Sequence, residues 1–119
     1  MFPMEENQLW HVTVTVAGAA RPQMEVRAAM DRLLIEHPFL LTCRYDSESA
    51  ELSYWDQGCE LEDPAAIGLR LWSEHRLSAK LPPWHVVGLE VIDRATYRRR
   101  SLERESVPLR EPGCTVSLF

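Results

Sequence analysis

The feature that most constrains this 119-residue chain is the apolar stretch from Leu81 to Arg94, LPPWHVVGLEVIDR. The two prolines after Leu81 prevent a helix from continuing into the stretch, so the residues behind them are expected to be extended. The β-branched residues that follow favour a strand, which an acid and an arginine close. We therefore predict a strand over residues 84–93 and interpret the upstream elements as layers that this strand completes.

Upstream of this stretch, the hydrophobic pattern switches between a period of two and helical spacing. The run WHVTVTVA alternates cleanly, which is typical of a half-buried strand, and the run after Pro22 carries an apolar stripe at helical spacing. The predicted strands lie near residues 9–17, 39–46, 50–57 and 84–93, and the predicted helices near residues 22–37 and 64–80.

The order strand, helix, strand, strand, helix, strand predicts a ferredoxin-like α+β sandwich. Its sheet is expected to be four-stranded and antiparallel, in the order 4-1-3-2, with both helices on one face. Residues 1–97 form the single domain in this scheme, and residues 98–119 are an irregular tail, with a short strand at 115–119 as the alternative. To place side chains, we take strand 3 as parallel to strand 1 and strand 4 as antiparallel to it.

Strand alternation then assigns side chains to two faces of the sheet. The helix-covered face is expected to hold Val12, Val14, Val16, Leu41, Cys43, Leu52, Tyr54, Val87, Leu89 and Val91. The open face is expected to hold His11, Thr13, Thr15, Leu40, Thr42, Arg44, Glu51, Ser53, Trp55, Trp84, Val86 and Glu90. In the hairpin of strands 2 and 3, Arg44 is expected opposite Glu51, and these opposite charges support the register.

Three stretches of the chain, LRLWSEHRLSAKLPPWHVVGLEVIDR, HPFLLTCRYD and AELSYWD, resemble a family of small uncharacterised actinobacterial proteins. The resemblance covers about residues 8–97 and stops before the tail. It implies a ferredoxin-like fold and a bacterial source, and it implies no activity.

Charge and composition exclude several classes of function. The chain carries a net charge of −5, divided into −7 over residues 1–97 and +2 over residues 98–119. An acidic domain repels phosphate backbones, so we expect no nucleic-acid partner, and we interpret the basic cluster at 98–104 as a solvated tail. The N-terminal residues lack a secretion signal, no apolar run approaches a membrane span, and the three cysteines suggest no disulfide framework, so we expect a cytoplasmic protein without membrane contact.

Motifs that would hold a cofactor or a metal ion are not found in the sequence. The five glycines are scattered singly, which argues against a phosphate-binding loop, and no Cys-x-x-Cys or His-x-x-x-His pair offers metal-ligand spacing. Cys43 is predicted on the inward face, where it acts as a small core residue rather than a nucleophile. We therefore predict no cofactor and no metal site.

The open face is where we expect function to lie. The preferred hypothesis is a binding or interaction module that forms a homodimer or holds a protein partner through this face. Its binding residues are expected to be Trp55 and Trp84 as converging anchors, with Thr13, Thr15 and Arg44.

Two alternatives use the same fold. One is a cofactor-independent enzyme of the dimeric α+β-barrel type, in which His11 acts as acid or base beside Glu90. The other is a regulatory module that binds a small effector. Both alternatives depend on fold similarity alone, and the class of small ligand stays open.

Overall fold

The computed structural model describes residues 8–103 and 115–119. Within these ranges, the elements follow in the order β1 (Gln8–Ala17), α1 (Gln23–Glu36), β2 (Leu40–Tyr45), β3 (Ser49–Gly58), α2 (Glu62–His75), β4 (His85–Asp93), α3 (Arg94–Glu103) and β5 (Thr115–Leu118). The four strands and two helices predicted upstream of residue 94 are all present. The largest difference between a predicted and an observed boundary is at the end of α2. No helix in the described ranges is long and apolar enough to cross a membrane.

The strands form one mixed sheet in the order β4-β1-β3-β2-β5. The predicted order 4-1-3-2 is therefore confirmed, but the prediction of a four-stranded, wholly antiparallel sheet was wrong, because β5 adds a fifth strand parallel to β2. The layout is βαββαβ, a ferredoxin-like α+β fold followed by α3 and β5. Residues 98–103 continue α3 and 115–118 form β5, so these parts of the expected tail are regular, while the domain boundary after residue 97 stays a prediction.

Strands β1 and β3 lie side by side as expected, but they run antiparallel, with His11 opposite Trp55 and Thr15 opposite Glu51. The parallel direction used to place side chains was therefore wrong. The crossover through α1 sets β2 in the direction of β1, and the tight β2–β3 hairpin then reverses β3. Trp55 consequently lies beside His11 and not beside Thr15.

A register shift in β2 changes which of its side chains face the helices. Arg44 pairs with Glu51 as predicted, whereas the irregularity near residue 41 pairs Leu40 with Tyr54. Leu40 is therefore buried in the core, and its predicted position on the open face was wrong. The side chain of Leu41, predicted to face inward, lies outside the described residues.

A register shift in β4 also changes which of its side chains face the core. Gly88 lies opposite Thr15 and Val86 lies opposite Val16, so the residue between them is the extra residue of a bulge. Val86 packs against the core, and Val87 is 63% exposed. The two valines were predicted the other way round, because strict alternation does not anticipate a bulge.

The core lies between the sheet and the helices α1 and α2. α2 crosses the sheet closely at Gly68, where an added Cβ would lie 3.0 Å from Cδ1 of Leu89 and 3.3 Å from Cγ1 of Val12. Such spacing leaves little room for a larger residue. The apolar stripes predicted for both helices are thus directed into one core, and the opposite face of the sheet is available for other contacts.

Two stacked indoles close one end of this core. Trp72 of α2 is 2% exposed, as predicted, and its Nε1 donates to the carbonyl oxygen of Pro82 at 3.0 Å. The ring of Trp84 stacks on it at 6.1 Å between centres and 3° between planes, and its Nε1 donates to the carbonyl oxygen of Ala19 at 2.8 Å. Trp84 is 3% exposed and precedes β4, so its predicted place on the open face was wrong.

The chain leaves α2 earlier than predicted, at His75. The residues that follow form turns up to Lys80, whose φ of 54° is left-handed and ends the helical course. Arg32 of α1 holds this turn, since its Nε donates to the carbonyl oxygen of Ala79 at 2.6 Å and its Nη2 to that of Lys80 at 3.1 Å. The prolines behind Leu81 then direct the chain into β4.

Candidate functional site

Helix α3 lies across the open face, because the chain turns directly from β4 into this helix. Asp93 ends β4, and its Oδ1 accepts a hydrogen bond from the backbone N–H of Thr96 at 2.8 Å. This contact caps the first turn of the helix. The hydrogen bonds of Thr96, through its side chain and then its backbone, hold the pKa of Asp93 below its usual range. The helix contacts β1 and β4 and covers their side of the open face.

Three rings join α3 to the sheet. The ring of Tyr97 lies 4.5 Å from that of His11 and 4.9 Å from that of Trp55, measured between centres. His11 and Trp55 are themselves 5.1 Å apart and nearly perpendicular. Aromatic contacts of this kind add to the area that they bury, so the cluster fixes the position of α3 over β1 and β3.

Two ion pairs lie on the same face. Nη1 of Arg100, in α3, donates to Oε2 of Glu90, in β4, at 2.9 Å. Nη1 of Arg44 lies 3.8 Å from Oε1 of Glu51 across the β2–β3 hairpin. All four side chains are partly exposed to solvent, so each charge is screened and the pairs are readily opened.

A recess of about 370 Å³ lies between the sheet and α3. Both ion pairs line it, together with hydroxyl groups of Thr13, Ser53 and Ser101 and the rings of His11 and Tyr97. The hydroxyl oxygens of Thr13 and Ser53 are 3.4 Å apart, so these two strands present one polar surface. The volume is within the range of small-molecule sites, roughly 300–1,000 Å³. The recess therefore offers charges of both signs and several hydrogen-bonding groups to a small polar molecule.

The structure brings His11 and Glu90, the acid–base pair of the enzyme alternative, to the same recess. His11 lies opposite Ile92, and Glu90 lies opposite Thr13, two residue pairs further along β1. The carboxylate of Glu90 is bound by Arg100.

The predicted binding residues are only partly brought together. Thr13 and Arg44 line the recess, whereas Thr15 lies further along β1, between Glu51 and Gly88 on the neighbouring strands. Trp55 is half-buried in the ring cluster. Trp84 lies in the core, so the two tryptophans do not converge on the open face.

The sequence interpretation named no residue of α3 as part of the site, although it weighed a C-terminal tail folded over the open face. Tyr97, Arg100 and Ser101 all line the recess, yet the run that contains them has no apolar stripe. The available signal was the capping pattern, Asp93 followed three residues later by Thr96, at the end of a predicted strand. The arginine cluster read as a solvated tail thus supplies one charge of the site.

Comparison with known proteins gives a family and a structural likeness. The family model for a domain of unknown function, DUF8830, matches residues 9–108. No curated protein matches the sequence. A solved structure described as an acylphosphatase from Coxiella burnetii is similar with a TM-score of 0.41 and 16% identity, over 92% of this chain and 93% of that one. Since the family model covers most of the chain, the protein belongs to the DUF8830 family.

Proposed function

We propose that this domain is a non-enzymatic binding module whose ligand is a small molecule carrying both a positive and a negative charge. The ligand occupies the recess between the open face and α3. One observation carries the proposal: two Arg–Glu pairs from four different elements line the same cavity. An arginine offers a fork of donors to a carboxylate, and a glutamate accepts from an ammonium group.

The existing ion pairs do not prevent such binding. Exposed pairs contribute only about 0–1 kcal/mol each, so exchanging them for a ligand costs little. A ligand with both charges that enters one pair replaces both of its lost partners, and the other pair stays closed. Thr13 and Ser53 supply hydroxyl groups that orient the rest of the molecule.

The enzyme alternative has less support from the geometry. Acid–base catalysis requires a titratable group held by a partner that tunes it. Glu90, the partner expected for His11, accepts a hydrogen bond from Arg100. The arrangement of the recess is therefore better matched to recognition of charge than to proton transfer.

Thermal denaturation in the presence of free glycine, serine or glutamine tests the proposal. At ten times the Kd, a ligand that binds only the folded state stabilises it by about 1.4 kcal/mol. For a domain of this size, this corresponds to a rise in Tm of about 5 °C. The same amino acids with an acetylated amine or an amidated carboxyl group lack one charge, and we expect them to give a much smaller rise.

Matched variants locate the effect. Arg100→Gln removes one charge of the recess, and Arg70→Gln removes the arginine of an exposed pair on α2, 3.3 Å from Glu74. We expect the ligand-induced rise in Tm to be lost in the first variant and kept in the second. Equal responses to the free and blocked amino acids, or no response to any of them, would contradict the proposal.

Several further properties are also proposals. The resemblance supports a bacterial, actinobacterial source, and the acidity supports a domain without nucleic-acid partners. A cytoplasmic location and a homodimer, or a protein partner at the open face, remain predictions of the sequence. Measuring the mass of the protein in solution decides whether it is a homodimer.

A further inference from the structure

A second pocket lies where β3 extends beyond β2. The two strands pair only as far as Leu40 and Tyr54, while β3 continues to Gly58 alongside β1. The pocket at this step has a volume of about 470 Å³. It is separate from the recess under α3, and the two cavities have no lining residue in common.

Most of its wall is apolar and partly open to solvent. Leu9, Phe39, Trp55 and Ile67 line it, and Phe39 is 73% exposed. Phe39 lies in the short connection between α1 and β2, and Trp55 lies on β3. Exposed apolar groups around a concave site are typical of a surface that binds a ligand.

Two residues that line this pocket, Tyr54 and His37, each carry a buried polar atom with no hydrogen-bond partner among the described residues. The atoms are Oη of Tyr54 and Nε2 of His37. Tyr54 is 1% exposed, and the two rings meet nearly edge to face at 5.3 Å. Buried polar atoms in folded proteins are nearly always paired, so two such atoms in the wall of one pocket indicate a missing partner.

The charge of the pocket restricts that partner. Asp56 is the charged side chain among the described lining residues, and it lies close enough to act on both His37 and Tyr54. Burial, and then the neighbouring His75, lower the pKa of His37, so its ring is neutral at pH 7. Burial raises the pKa of Tyr54 to about 12, so its hydroxyl keeps its proton. A negative ligand would be repelled, and a positive one would be attracted.

We propose that this pocket binds a small apolar molecule that carries a protonated amine. An ammonium group donates three hydrogen bonds, and Asp56, Tyr54 and His37 offer three acceptors. The apolar part of the molecule lies between Phe39 and Trp55, whose rings also attract a nearby cation. The proposal does not depend on the function proposed for the recess, since the two sites share no lining residue.

Titration with 2-phenylethylamine, followed by ¹H–¹⁵N NMR at pH 8, tests this site. We expect saturable shifts at the backbone amides of His37, Phe39, Tyr54 and Asp56, with the recess amides of Thr13 and Arg100 unchanged. 2-Phenylethanol, which has the same shape without the charge, should bind more weakly, and phenylacetate should not bind. Equal binding of the amine and the alcohol, or shifts confined to the recess, would overturn the proposal.

Variants at two of the acceptors measure how much each one contributes to the affinity for the amine. Asp56→Asn should weaken amine binding by roughly tenfold or more, because it removes a charge-assisted hydrogen bond. Tyr54→Phe should weaken it by roughly three- to tenfold. Tyr54→Phe should also leave the Tm of the ligand-free protein no lower than that of the wild type, because the hydroxyl has no partner to lose.

Two more variants separate a loss of binding at the site from unfolding and from a general change in net charge. Phe39→Ala changes an exposed side chain, so the fold is kept and the amine should bind more weakly. Asp31→Asn removes a negative charge on the outer surface of α1, 3.8 Å from Arg27, and should leave the affinity unchanged. An equal loss in Asp56→Asn and Asp31→Asn would show a general charge effect and would refute the site.

Discussion

At the scale of single residues, the stacked indoles of Trp72 and Trp84 hold the end of α2 against the sheet. Each ring is buried, and each donates its N–H to a backbone carbonyl. A buried indole with a satisfied N–H combines a large apolar area with no polar penalty. These two residues are therefore structural, and the tryptophan that remains near the open face is Trp55.

We expect Trp72→Ala to lower the free energy of unfolding by about 3–5 kcal/mol, since it leaves a large cavity in the core. Chemical denaturation monitored by circular dichroism measures this change. The control is Leu77→Ala, whose side chain is 83% exposed and whose effect should stay within about 0.5 kcal/mol. A wild-type midpoint in Trp72→Ala would contradict the packing described for α2.

His37 makes the stability depend on pH. Its pKa in the folded protein lies below the ordinary value of 6.5, because burial and the nearby His75 oppose the charged form, although Asp56 acts in the other direction. The unfolded chain thus binds a proton on His37 before the folded protein does. The free energy of unfolding is therefore insensitive to this group above pH 6.5 and decreases as the pH falls from 6.5 towards the lower folded value.

We expect the Tm of the wild type to fall between pH 7.5 and 5.5 more steeply than that of His37→Gln. The groups that face His37 are Asp56 and Tyr54 from β3 and His75 from α2, and Glu36 holds His75 at 2.8 Å. The pKa of Glu36 is itself lowered, by hydrogen bonds from Ser78 and His75, so its contribution is lost only under more acidic conditions. Parallel pH profiles for the two proteins would contradict this assignment.

At the scale of elements, α3 and β5 extend the βαββαβ framework at opposite sides of the sheet. α3 contacts β1 and β4, and β5 pairs in parallel with β2. Val116 of β5 packs against the core, opposite Cys43. The chain beyond residue 97 therefore contributes both to the recess and to the core.

Removing β5 should weaken the fold without destroying it. We expect a chain cut after Glu103 to unfold cooperatively, with its free energy of unfolding lower by on the order of 2 kcal/mol, because one partly buried valine and one strand pairing are lost. Val116→Ala in the full chain should give a smaller loss in the same direction. Differential scanning calorimetry measures both, and a cut chain as stable as the full one would contradict a structural role for β5.

At the scale of the whole molecule, the open face is divided between two surfaces. α3 covers the side of β1 and β4, while the guanidinium of Arg44 lies 5.2 Å from the ring centre of Phe119 on the side of β2 and β5. Phe119 is 47% exposed there. We propose this second surface as the contact for the second copy of the chain that the sequence predicts.

Light scattering tests the homodimer that the sequence predicts. We expect a mass of twice the 13.7 kDa of one chain, because the exposed ring beside Arg44 offers an apolar anchor with a polar rim. Phe119→Ala should shift the population towards the monomer, and Leu77→Ala, at an exposed position on another surface, should not. A monomeric wild type at micromolar concentrations would refute the dimer.

Local patterns in the sequence are enough to predict the strands and helices and most of the buried core residues. Period-two alternation over WHVTVTVA, helical spacing after Pro22 and the double proline before β4 are local signals, and each depends on residues close together in the chain. Their order was enough to predict the strand order 4-1-3-2 and the burial of Trp72. The same reasoning indicated the open face as the place for a functional site, and it identified Thr13 and Arg44 among the residues that line the recess.

Long-range packing sets the direction of β3 beside β1, the bulges that exchange Val86 with Val87 and bury Leu40, and the position of α3. Each depends on pairing between residues far apart in the chain, which alternation within one strand does not report. The pocket around Tyr54 and His37 arises for the same reason, since it lies where β3 extends beyond the end of its pairing with β2. The sequence thus decides which side chains are apolar, and long-range register decides which polar ones meet.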